Sequence, residues 1–158
     1  MAELETVHAD STFRIVTSRN VQVNVWSDAP TLEQMFVFGR TGAVHARQHP
    51  RGTALLNLVV SGTPSFTEPV RAEAIKLVKE SALFSLGAAH IILVSGFAGT
   101  AVRAFMGTAI VMGRPRRPNK VFGDTETAAE WLAPLISKGA EPWSKAALVA
   151  LVAQTLAR

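Results

Sequence analysis

The chain has 158 residues, of which 48% are apolar and only 18% charged, a balance that excludes a largely disordered polypeptide. No apolar run reaches the ~20 residues of a membrane-spanning helix, and there is no cysteine, so disulfides, thiolate metal sites and thiol nucleophiles are excluded together. A net charge of +4 and a pI near 10.1 permit acidic partners without requiring them.

The polar start, MAELETVHAD, reads as a loose lead-in rather than a secretory signal, and the expectation is a cytoplasmic protein with a single domain over residues 1–158. Phe13, Ile15 and Thr17 alternate with Arg14 and Val16, as Val21, Val23 and Val25 do with Gln22, Asn24 and Trp26. Two period-two runs about Ser18-Arg19-Asn20 predict an antiparallel hairpin, with Asn20 as its left-handed residue. Asp28-Ala29-Pro30-Thr31 then opens a helix. There Thr31 and Gln34 fit a capping box, and Leu32, Met35, Phe36, Ala43 and Ala46 supply a buried stripe. Thr53 to Val60 is a strand buried on both faces. Ser65 or Thr67 caps the next helix, which turns Val70, Ala74, Leu77, Val78 and Ser81 inward.

The central unit is Gly87 to Gly113, GAAHIILVSGFAGTAVRAFMGTAIVMG. Its apolar run predicts a buried strand, Gly96 to Gly99 a tight turn, and Thr100 the cap of a helix from Ala101 to Met112. A basic turn follows, Arg114-Pro115-Arg116-Arg117-Pro118, then a short edge strand, Lys120 to Phe122. Asp124 caps a helix carrying Ala128, Trp131, Leu132 and Leu135, which Pro134 kinks or shortens. Pro142 starts the last helix, Trp143 to Leu156. The prediction is an α/β fold with a mixed, largely parallel sheet of about five strands, an N-terminal antiparallel hairpin and packed helices.

In this order of elements, and above all in KVFGDTETAAEWL at residues 120–132, the chain resembles the STAS / SpoIIAA-like family, the anti-sigma-factor-antagonist fold. The resemblance covers residues 12–136 and leaves 137–158 as a helical extension. It implies a STAS-like fold and a binding role, to proteins or small ligands, without catalysis. In the sigma-factor branch a serine of an Asp-Ser-Ser-Gly turn is phosphorylated. The corresponding region here reads Ser65-Phe66-Thr67-Glu68-Pro69, so that switch is not carried over.

Candidate chemistry is sparse. His45 and His49 lie four apart on the first helix, as two metal ligands would, but HARQH lacks the zinc-protease Glu and a nearby third ligand. His90 reads as a hydrogen-bonded structural residue. Gly96-Phe97-Ala98-Gly99-Thr100 lacks the third Gly and downstream acid of a dinucleotide site and the Gly-Lys of a P-loop. Arg103, Arg114, Arg116, Arg117 and Lys120 form the densest positive patch, a candidate anion site. Without interleaved stacking aromatics it does not predict nucleic-acid binding. Among the core strands the only strongly polar residue is Asn57, and no serine lies in a Gly-x-Ser-x-Gly elbow. No catalytic residue, metal or cofactor is therefore expected.

Two helices, 100–113 and 142–157, are apolar nearly all round, so each must be covered on both sides. Either they cover each other within one chain, or they meet a second copy through Phe105, Ile110, Trp143, Leu148 and Leu151. The expected function is a non-enzymatic, cytoplasmic protein-interaction or regulatory module, homodimeric and with a further protein partner. The alternative is a carrier or sensor for a small apolar or lipid-like ligand, in a pocket lined by Trp26, Phe97, Phe105 and Met106.

Overall fold

A computed structural model describes residues 3–158. Six strands, β1 (Glu5–Ala9), β2 (Phe13–Ser18), β3 (Val21–Trp26), β4 (Ala54–Val59), β5 (Gly87–Ile92) and β6 (Asn119–Phe122), form one sheet in sequence order. The first three pair antiparallel and β3 to β6 run parallel. The crossovers are α1 (Leu32–Gln48), α2 (Glu68–Lys79) and α3 (Gly96–Gly113), and α4 (Thr125–Ile136) and α5 (Lys145–Leu156) follow β6. This is the predicted mixed α/β sheet with an antiparallel start.

Strands β3 and β5 are buried throughout and β4 nearly so, because helices cover both faces. Val21, Val23, Val25, Leu56, Leu58 and Ile91 face α4 and α5. Phe13, Ile15, Trp26, Leu55 and Ala88 face α1, α2 and α3. Thr31 and Gln34 form the expected capping box on α1, and Asp124 caps α4 by accepting from the Thr127 N–H at 2.7 Å.

The structure departs from the sequence pattern at several points. Glu5–Ala9, read as lead-in, is an edge strand paired to β2 with a bulge between Thr6 and His8. Its side chains stay mostly exposed, so apolar alternation could not mark it. Arg19, not Asn20, takes the left-handed conformation of the hairpin turn, at φ 49°. That leaves the Asn20 side chain free to donate to the Gly52 carbonyl and accept from the Trp143 indole. On α1, Phe38 and His45 turn inward while Phe36 is exposed. Ser81 lies beyond the end of α2, exposed. Helix α3 begins at Gly96, so the supposed glycine turn is its first turn and Thr100 lies inside it, donating to the Gly96 carbonyl. A side chain at Gly99 would overlap the Val94 carbonyl, which is why glycine stands there.

The two over-apolar helices do not meet. Helix α3 packs on α2 and the sheet on one face, and α5 packs on α4 and β3 on the other. Trp143, Leu148 and Leu151 are buried within the chain and are core, not surface anchors. Of the five expected interface residues only Phe105 and Ile110 remain partly exposed. The tail is pinned at both ends: Arg14 donates to the Thr155 carbonyl at 2.8 Å, and the Arg19 guanidinium stacks 4.1 Å over the Trp143 ring.

Leu148→Ala is therefore expected to cost about 2–5 kcal/mol in a denaturant titration, the range for a fully buried leucine. Leu148→Asp is expected to give unfolded or aggregated protein, not a folded monomer released from a dimer. A soluble, cooperatively melting Leu148→Asp chain would show that α5 is not core.

Candidate functional site

The parallel register sets Asn24, Asn57, His90 and Val121 in one row across β3, β4, β5 and β6. Asn57 and His90 thus share the face under α1, α2 and α3, where polar groups need partners. The Trp26 indole can only donate, and its Nε1 lies 2.8 Å from Asn57 Oδ1. That fixes the Asn57 amide, whose Nδ2 donates to His90 Nδ1 at 3.1 Å. His90 therefore carries its proton on Nε2, which donates to Asn119 Oδ1 at 3.0 Å. The Asn119 amide in turn donates to the Arg117 carbonyl at 3.3 Å. One directed relay thus runs from Trp26 to the loop before β6.

Both ring nitrogens of His90 are used in this relay, so the ring offers no free lone pair to a substrate proton. Burial pushes its pKa below the ordinary 6.5, against a smaller upward pull from Asn119. Protonating Nδ1 would also set it against the Asn57 NH2. Turning that amide round to accept would leave the Trp26 indole without its acceptor.

Above the relay lies a cavity of about 90 Å³ between the sheet and α1, α2 and α3. Its walls are apolar, with Met35, Leu55, Ala74 and Met106 beside an aromatic run. Phe13 stacks on Trp26 at 3.7 Å, Trp26 meets Phe38 at 6.3 Å, and Phe38 meets Phe84 at 5.8 Å. Two loops bound it at the carboxyl ends of β3 and β4. Asp28 ties them by accepting from the Ala29 and Thr63 N–H groups, and the Ser61 hydroxyl donates to the Ser27 carbonyl. Gly62, at φ +121°, lets the loops touch, since a Cβ there would come within 2.5 Å of Asp28 Cα. Phe66 and Phe105 close that side, stacked in parallel at 3.8 Å. Asp28 and His90 are the only ionisable side chains lining the cavity among the described residues.

Three of the four pocket residues expected from sequence, Trp26, Phe105 and Met106, line this cavity together. Phe97 does not: it is 86% exposed on the first turn of α3. The expected anion patch is divided. Arg103 lies on the flank of α3 beside Gly123, Arg114, Arg116 and Arg117 occupy the turn after it, and Lys120 reaches toward the Phe122 ring at 5.5 Å. His45 is buried, its Nε2 donating to the Arg19 carbonyl at 2.8 Å. His49 faces Glu141 at 3.4 Å. Among the described residues no three His, Asp or Glu side chains converge on a metal position.

The relay fixes the sign of a pH effect. His90 is held neutral in the fold while the unfolded chain titrates near 6.5, so its contribution to stability is complete above that pH. Below it the contribution is lost progressively as the pH falls toward the folded value. Buried His45, also held low, adds to the same trend. His90→Leu is expected to lose about 1–3 kcal/mol above pH 6.5, by orphaning its partners, and to show a shallower decline below it. Urea titrations on either side of that pH check this; an unchanged decline would place the titrating group elsewhere.

Set against family models, curated proteins and solved structures, the chain matches none of them.

Proposed function

We propose that the chain is a non-catalytic binding module of STAS-like architecture that takes up a small, mainly apolar ligand in the cavity under α1, α2 and α3. The observation that carries this reading is the pairing of apolar, aromatic walls with one polar rung, the Trp26–Asn57–His90–Asn119 relay. Ligand sites typically combine a hydrophobic lining with a few fixed polar groups that orient the ligand. The position supports it as well, because open parallel sheets bind ligands at the carboxyl ends of their strands. The STAS-like part rests on the antiparallel start, the three crossovers and the Asp124-capped helix of KVFGDTETAAEWL.

At about 90 Å³ the cavity holds roughly the volume of three liquid waters, enough for a ligand of a few heavy atoms. A larger one enters by parting the Phe66–Phe105 stack. The ligand reading is favoured over a protein interface through the two apolar helices because Trp143, Leu148 and Leu151 are core and Phe105 is engaged by Phe66. A proton-transfer role is disfavoured by the full occupation of His90.

The test is binding of a fluorescent apolar probe, with native mass spectrometry of the purified chain for a co-purifying small molecule. Ala74→Leu fills the cavity from α2 and is expected to weaken probe binding about tenfold or more, with the thermal midpoint held or raised. Asn57→Leu removes the polar rung and is expected to weaken binding of ligands that carry a hydroxyl or carbonyl. Probe binding indifferent to both substitutions would refute the site.

A further inference from the structure

Helix α3 turns one face inward, through Val102, Met106 and Ala109. The opposite face runs the length of the helix as Phe97, Ala101, Ala104, Thr108, Val111 and Met112, spaced three and four apart. It carries no charge, and at its two ends Phe97, Val111 and Met112 are 86%, 74% and 60% exposed. An 18-residue helix gives this strip a length of about 27 Å. An exposed apolar strip of this kind marks an interaction surface.

The charge around it identifies the partner. Between Glu80 and Asp124 the sequence contains no Asp or Glu, yet it holds five of the sixteen Lys and Arg residues. Four of these border the strip: Arg103 on its flank, and Arg114, Arg116 and Arg117 in the turn that leaves its last residue. Among the described residues none of the four arginines forms an ion pair. Outside this segment the chain carries eleven cations against twelve acids, so the net positive charge arises here.

We propose that this face of α3 docks on an anionic lipid surface, its apolar strip entering the headgroup boundary and its arginines meeting the phosphates. Amphipathic interfacial helices combine these two features. A second copy fits less well, since an isologous contact would set this acid-free basic segment against itself and offer its arginines no carboxylate from the facing helix. Nucleic acid fits less well too, because its interfaces are polar and this strip is not. The helix lies on the bilayer and does not cross it: its inner face holds the cavity wall, and Phe105 is stacked on Phe66. This inference stands apart from the ligand reading and does not depend on it.

The full chain is tested by flotation with phosphatidylcholine vesicles and with mixed phosphatidylcholine–phosphatidylserine vesicles. Binding is expected to the mixed vesicles only, and to be released by high salt. Changing Arg114, Arg116 and Arg117 together to Gln is expected to weaken it about a hundredfold, and Phe97→Ser about tenfold. All four positions are exposed, so the thermal melt of each variant is expected to match the parent. Absence of binding to mixed vesicles, equal binding to neutral ones, or retention at high salt would each overturn the proposal. So would a dimer in light scattering that Val111→Asp dissolves, or DNA binding lost with the same arginines, if vesicles are not bound.

Discussion

The interaction on which the rest of this structure depends is the hydrogen bond from the Trp26 indole to Asn57. A polar amide in the middle of a parallel sheet costs least when both its ends are satisfied. The indole takes the oxygen, and that one contact fixes which way the amide points. The orientation then dictates the His90 tautomer, which dictates the Asn119 rotamer, and so ties the loop before β6 to β3 without any charged group. The relay binds four strands side to side on the same face on which three crossover helices must close. It also places a polar rung along the sheet side of a mostly apolar chamber.

Much of the architecture is written in the hydrophobic pattern. Thr53 to Val60 reads as a buried strand because helices on both faces demand a near-continuous apolar run. Val21 to Trp26 reads as a strand by alternation alone, which does not reveal that both its faces are covered. The caps at Thr31 and Asp124 are legible because each uses a local hydrogen bond that needs no knowledge of the fold. What the pattern could not convey is anything decided by neighbours. Strand β1 owes its existence to backbone pairing with β2, since Glu5 to Ala9 bury almost nothing. An all-round apolar helix states that it must be covered, but not by what. Hence α5, with Leu148 and Leu151 fully inside, could not be told from α3, whose Val111 faces solvent.

The candidate site was legible in fragments. Asn57 stands out as the polar residue of the core strands, and Trp26, Phe105 and Met106 as cavity residues. Their connection through His90 and Asn119 depends on register, since a slip of one residue on β5 would turn His90 to the opposite face. Register in a parallel sheet is set by tertiary packing across long crossovers, which leaves no local trace. Phe97 was misplaced for a related reason. Whether the helix begins at Gly96 or after Gly99 decides which residues share its inner face, and Ser95 gives no side-chain cap hydrogen bond to mark the start.

The pinning of α5 bears on how the chain is made. The contacts from Arg14 and Arg19 reach 141 and 123 residues ahead, to Thr155 and Pro142. Val21, Val23 and Val25 are translated early, yet their cover, Leu148, Leu151 and Val152, emerges far later. A nascent chain therefore carries a bare valine face on its hairpin until α5 has emerged, and native closure waits for that helix. Contacts of such separation slow folding and lengthen the exposure of aggregation-prone surface. The helical tail acts as the clasp of the fold and not as an appendage to it.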